Sequence, residues 1–213
     1  ITPNERKILL AAGATAGMSA IFGSPLAAIL LAIELLLFEF SARSFIPVAL
    51  ACITGAAGHH LLFEEGVVFP LSFQLQPSSN YALLFYATMG IVIGLISVIV
   101  TKVVYWIEDV FEKLPIHWAW WPAIGGIAVG VVGFFAPRTL GVGYSNITDL
   151  LTGTMPMQVV LSLCILKFVS WAISLGSGTS GGTLAPLLTI GGATGALLGG
   201  IGMFWFPNSG VNI

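Results

Sequence analysis

Charged residues gather into short clusters separated by long uncharged stretches: 8–33, 44–63, 66–101, 114–137, 150–166 and 168–213 carry none. About 20 apolar residues at 1.5 Å each cross a hydrocarbon core of about 30 Å. Several stretches are therefore long enough to cross, and two could hold more than one helix. Period-2 alternation is absent, and only helices or closed barrels satisfy their backbone in lipid. The pattern predicts helices near 5–20, 24–40, 44–62, 80–113, 118–135, 145–152, 157–175 and 183–204. Several are awkward as simple spans. The first is cut by Gly13 and Gly17, with Pro25 soon after, and the last begins only after a run of Gly, Ser and Thr. Short or broken segments suit a transporter or channel in which helix ends meet at mid-membrane.

Composition sharpens this picture. Of 213 residues, 57% are apolar and 8% charged, against about 25% charged in an ordinary soluble domain. Mean hydropathy is +1.00. These values exclude a soluble globular enzyme, a disordered chain and a disulfide-stapled secreted module. A net charge of -2 with seven Lys or Arg excludes nucleic-acid binding through a basic face. The expected class is an all-α, multi-pass integral membrane protein in contact with lipid. The amino end lacks both a signal-peptide pattern and an initiating Met, and Asn212-Ile213 stops just after an apolar segment, so a fragment is expected. Cys52 and Cys164 lie in apolar stretches and read as buried thiols without metal-ligand company. Glycine pairs four apart (Gly13/Gly17, Gly90/Gly94, Gly126/Gly130) and the stripe Gly191, Gly195, Gly199 predict close helix contact.

The strongest local signal is the run from Gly176 to Pro186, which follows one apolar helix and opens another. A helix start has free N–H groups and a partial positive charge, so it binds anions without Lys or Arg. Gly181 and Gly182 leave the backbone bare, and Pro186 sits early in the helix, where its missing N–H costs little. The run lacks the Gly-Lys-Ser/Thr ending of a nucleotide-binding loop. Partial charges suit conduction, because binding must be weak enough to let the ion leave.

Glu34 closes the charge-free run 8–33. An ionisable group in a membrane helix is a candidate proton carrier, or it lies near a helix end and reaches water. Lys167 is expected either to neutralise a buried carboxylate or to snorkel to the interface. His59-His60 with Glu64-Glu65 reads as a membrane-boundary cluster, since adjacent His side chains diverge by about 100° on a helix. Glu108, Asp109, Glu112 and Lys113 read as a solvated helix end, and Trp118, Trp120 and Trp121 as an interfacial belt. No catalytic pair is visible in the helices, which argues against a membrane-embedded enzyme. A non-conducting scaffold or sensor subunit is the alternative class.

Two segments, Phe22-Gly23-Ser24-Pro25-Leu26-Ala27-Ala28-Ile29-Leu30 running into Ala32-Ile33-Glu34, and Gly178-Thr179-Ser180-Gly181-Gly182-Thr183-Leu184-Ala185-Pro186, resemble the CLC chloride channel and transporter family. The second is similar to its Gly-x-Phe-x-Pro anion motif, with Leu184 in place of Phe. The resemblance implies an inverted repeat of tilted and partial helices, truncated here. Residues 1–65 would hold later helices of the first half, 66–79 the loop between halves, and 80–213 early helices of the second half. It implies chloride or another halide as the transported ligand, no cofactor, and a central anion held by the amides of Thr183 and Leu184. It also implies a homodimer formed through 24–40 and 44–62. The family's gating Glu segment, its anion-contacting Ser segment and its late Tyr are not in this sequence. Its antiporters often carry Glu-Glu where this chain has Glu34-Leu35. That departure weakens the expectation of proton coupling and leaves channel or exchanger open. Fluoride export ranks lower, because Thr183-Leu184 does not look like that branch's acidic variant.

Overall fold

The computed structural model describes residues 2–63, 79–179 and 181–205, with the backbone alone at Trp205. Eight α-helices occupy these residues, and no strand occurs among them. They fall into two compact units, Ile1–Pro70 and Leu71–Ile213. The loop expected at 66–79 lies outside the described residues except for Ser79.

The first unit holds α1 (Pro3–Phe22), α2 (Pro25–Leu31) and α3 (Ala42–Leu62). α1 starts with reciprocal caps: the Glu5 amide donates to the Thr2 hydroxyl at 3.3 Å, and the Thr2 amide to the Glu5 carboxylate at 2.8 Å. It runs unbroken through Gly13 and Gly17 and ends at Gly23, whose φ of +62° suits a residue without Cβ. Pro25 then opens α2 at its first position. The helix expected over 24–40 is shorter. It passes into a π-helical turn, Ala32–Leu37, closed by Phe38 N–H donating to Ile33 O at 2.9 Å. Phe38 adopts a left-handed φ of 56° and ends the turn. α1 and α3 run in the same direction, with Glu5 beside Arg43 near their starts and Ala16 beside Gly55 further along. The Ser19 hydroxyl donates to Cys52 O at 2.7 Å, tying the two together. The buried face of α1 is Ile8, Ala12, Thr15 and Ser19, small or hydroxylated residues at helical spacing.

The second unit holds α4 (Asn80–Glu112), α5 (Trp121–Phe135), α6 (Tyr144–Leu151), α7 (Met157–Gly176) and α8 (Leu184–Trp205). Short 3-10 turns, Trp118–Trp120 and Pro137–Thr139, precede and follow α5. α7 packs against α4, α5 and α8, and α6 packs against α8. At 33 residues α4 is roughly 50 Å long, well beyond the hydrocarbon thickness, so it must tilt or project. Among the described residues, five helical segments are long and apolar enough to cross a membrane: Ala42–Leu62, Asn80–Glu112, Trp118–Phe135, Met157–Gly176 and Leu184–Phe204.

The glycine spacing misplaces the tight contacts. A Cβ built on Gly13, Gly17, Gly90, Gly94, Gly126, Gly130, Gly191 or Gly195 meets nothing within 4 Å. Close approach occurs instead at Gly55 against the Ala16 backbone, Gly125 against Ser177, Gly133 against Leu140, Gly176 against Ile107 and Gly202 against Phe85. These contacts follow from where helices cross, and a spacing of four along one helix does not report that.

Candidate functional site

The Gly-rich run joins α7 to α8. α7 closes with Ser177 N–H donating to Ile173 O and Gly178 N–H to Leu175 O, both at 3.0 Å. Gly178 turns the chain with φ +75°. Ser177 is fully buried; its hydroxyl donates to Ser174 O at 2.6 Å and pairs with the Thr179 hydroxyl at 2.9 Å. Ser180 lies outside the described residues. Gly181, Gly182 and Thr183 are exposed, and a Cβ on either glycine meets open space.

α8 begins at Leu184, one residue from its expected start. Its first backbone bond runs from Leu187 N–H to Thr183 O at 3.1 Å. The amides of Thr183, Leu184 and Ala185 have no acceptor among the described residues. Pro186 occupies the third helical position and has no N–H to lose. Three N–H donors thus stand at the positive end of a 22-residue helix, beside bare glycine backbone and without a cationic side chain in the run. Such an end can accept an anion as a hydrogen-bonded guest without an ion pair.

Glu34 and Leu35 lie in the π-helical turn of the first unit, and both are exposed. Nearby, the Lys7 ammonium donates to Leu37 O at 3.3 Å, Arg43 pairs with Glu5 at 3.3 Å, and the Ser44 hydroxyl donates to the Glu39 carboxylate. These charges sit where α2 ends and α1 and α3 begin. His59 stacks on Phe63 with ring centres 5.2 Å apart, while Glu64 and Glu65 lie outside the described residues. Trp118 and Trp120 are exposed, and Trp121 turns inward against Phe111.

Lys167 takes neither expected role. It is buried, and its ammonium donates to Thr139 O at 2.7 Å and Gly141 O at 3.0 Å. The reason is its register: Val160, Leu163, Lys167 and Ser170 form the buried face of α7, so the side chain turns inward to the α5–α6 connection. That connection is irregular backbone, and its carbonyls need donors. The buried Asn146 amide supplies another, to Arg138 O at 2.7 Å, while Arg138 itself pairs with Asp149 at 2.9 Å. Gly143 then abuts the Thr189 hydroxyl of α8, at 3.3 Å from where its Cβ would stand. Sequence reasoning named Gly176 and Ser177 only as the opening of the Gly-rich run, and it missed Gly125, Asn146 and Thr189. A polar residue in an apolar run was a usable signal for Thr189.

The family profile described as "Voltage gated chloride channel" matches residues 1–213. The chain is similar to "Voltage-gated ClC-type chloride channel ClcB" of Shigella boydii, at 30% identity over 211 residues. The match covers 97% of this chain and 50% of that protein. It is equally similar, at 30% identity and the same coverage, to the protein of that name from Escherichia coli. The chain thus spans about half the length of the curated relatives it matches. With five helices among the described residues long and apolar enough to cross a membrane, and this match along its whole length, the chain belongs to the voltage-gated chloride channel family of multi-pass integral membrane proteins.

Proposed function

We propose that the full-length protein carries chloride across the membrane, and that the central anion is held at the start of α8. The amides of Thr183 and Leu184 donate to it, Gly181 and Gly182 let it approach, and Pro186 sets the helix start. The observation that supports this most is the first bond of α8. It forms only at Leu187, and the preceding amides have no acceptor among the described residues. The helix end supplies roughly half a positive charge, enough to attract a halide and weak enough to release it. Family membership supports chloride as the ion, since the similar proteins of both bacteria are named chloride channels.

Glu34 is the candidate for a proton path, and Leu35 occupies the neighbouring position, where a second carboxylate would be needed to relay protons inward. The apolar side chain favours a channel-like or uncoupled pathway over a stoichiometric exchanger. We also place the homodimer contact on 24–40 and 44–62, where Leu26, Leu30, Leu50 and Ile53 are more than half exposed. The test is halide efflux from liposomes holding the full-length protein, with external pH recorded simultaneously. The expected result is chloride efflux without matching proton movement. Stoichiometric proton uptake would overturn the uncoupled reading, and absence of halide flux would overturn the transport reading itself.

A further inference from the structure

The connection that delivers the chain to α8 is gripped from two sides, and each grip depends on a missing side chain. On α5, Gly125 is buried against Ser177. A Cβ there would collide with the Ser177 hydroxyl, would stand 3.0 Å from Ser177 Cβ, and would touch Ser174 Cα at 3.6 Å. At the end of α7, a Cβ on Gly176 would stand 2.7 Å from Ile107 Cγ2 and 3.3 Å from the Glu108 amide nitrogen of α4. The first distance is shorter than packed side chains tolerate, and the second is tight. The adjacent Gly126 offers a contrast, since a Cβ there meets open space. Between the two grips, the Ser177 hydroxyl is fully buried and joined to Thr179, which spans the turn at Gly178.

We propose that Gly125 and Gly176 are positioning residues for the anion site. By admitting α5 and α4 to direct contact with the end of α7, they fix where Ser177 and Thr179 stand. They thereby set the approach of the glycine segment to the amides of Thr183 and Leu184. Neither glycine touches the anion. The proposal rests on the reading of the α8 start as the anion site. Its consequence is specific. Bulk at Gly125 displaces Ser177, moves the connection, and changes both the size and the hydrogen bonding of the opening that a halide must fit.

The test uses the full-length protein in liposomes, with flux per folded protein and the chloride-to-nitrate flux ratio as readouts. The ratio reports site geometry and does not change when protein is merely lost. Gly125→Ala is expected to lower chloride flux about tenfold or more and to shift the ratio several-fold, as displacements near 1 Å do at pre-organised sites. Gly126→Ala is expected to match wild type in both. If Gly125→Ala yields no folded protein, Ser177→Ala carries the test, because it adds no bulk and deletes the bond to Thr179; a shifted ratio is expected. A Gly125→Ala protein with the flux and ratio of Gly126→Ala would overturn the proposal. So would a Ser177→Ala protein with an unchanged ratio, when it carries the test. A wild-type protein that moves no halide would overturn the underlying site reading, and the proposal with it.

Discussion

Gly182→Val in the full-length protein is expected to reduce chloride flux on the order of 100-fold, the scale seen when one pre-organised donor is lost from a charged site. The protein should nonetheless fold. Gly182 is exposed, a Cβ there meets no atom within 4 Å, and its backbone is not in the left-handed region. The two branches of valine therefore project into the open space beside the amides of Thr183 and Leu184, which is the space the anion needs. Gly182→Ala, with less bulk, is expected to fall between the valine variant and wild type. The check is flux per reconstituted protein, with a monodisperse elution profile as proof of folding. A folded valine variant with wild-type flux would mean that ions pass elsewhere.

Lys167→Met is expected to cost more stability than any substitution of a surface cation in this chain. The ammonium is the donor for Thr139 O and Gly141 O on irregular backbone between α5 and α6. Methionine matches the length of the side chain but donates nothing. The buried Thr139 carbonyl left without a partner costs about 1–3 kcal/mol, while the carbonyl of exposed Gly141 costs less. Removing a buried charge recovers part of that, so the expected net loss is about 1–2 kcal/mol. For a chain of this size that corresponds to a fall in apparent Tm of roughly 2–8 °C. Lys102→Met, on the exposed surface of α4, is the matched control and is expected to move Tm little. Thermal unfolding in detergent, followed by tryptophan fluorescence, separates the two. Equal Tm values for Lys167→Met and wild type would show that the carbonyls find other donors.

The eight helices were legible because charge is expensive in a membrane, and the uncharged stretches therefore mark them out. Their buried faces were not. In water the apolar face goes inward, but Leu9, Leu10 and Ile21 of α1 are exposed while Thr15 and Ser19 are fully buried. When the surroundings are as apolar as the core, small and hydroxylated residues take the helix contacts, and apolar periodicity loses its meaning. The same inversion hid the glycines that matter. Gly125 and Gly176 have no distinguishing spacing and are set apart only by what crosses them. The start of α8 was legible to within one residue because Pro186 and the glycines before it impose a local conformation that needs no tertiary partner. Lys167 was conspicuous as a charge in an apolar run, yet its carbonyl acceptors lie 28 and 26 residues away on a turn that sequence periodicity does not describe. The shortening of α2 at the π-helical turn was equally hidden, since apart from Glu34 the segment Ala32–Leu37 is as apolar as the helix it ends.

The most direct test of the account is anomalous diffraction from crystals of the full-length protein grown in bromide. A bromide peak is expected within hydrogen-bonding reach of the amide nitrogens of Thr183 and Leu184, beside Gly181 and Gly182 and with no Lys or Arg side chain in contact. Bromide bound at another place, with the amides of the first turn of α8 left without a halide, would contradict it.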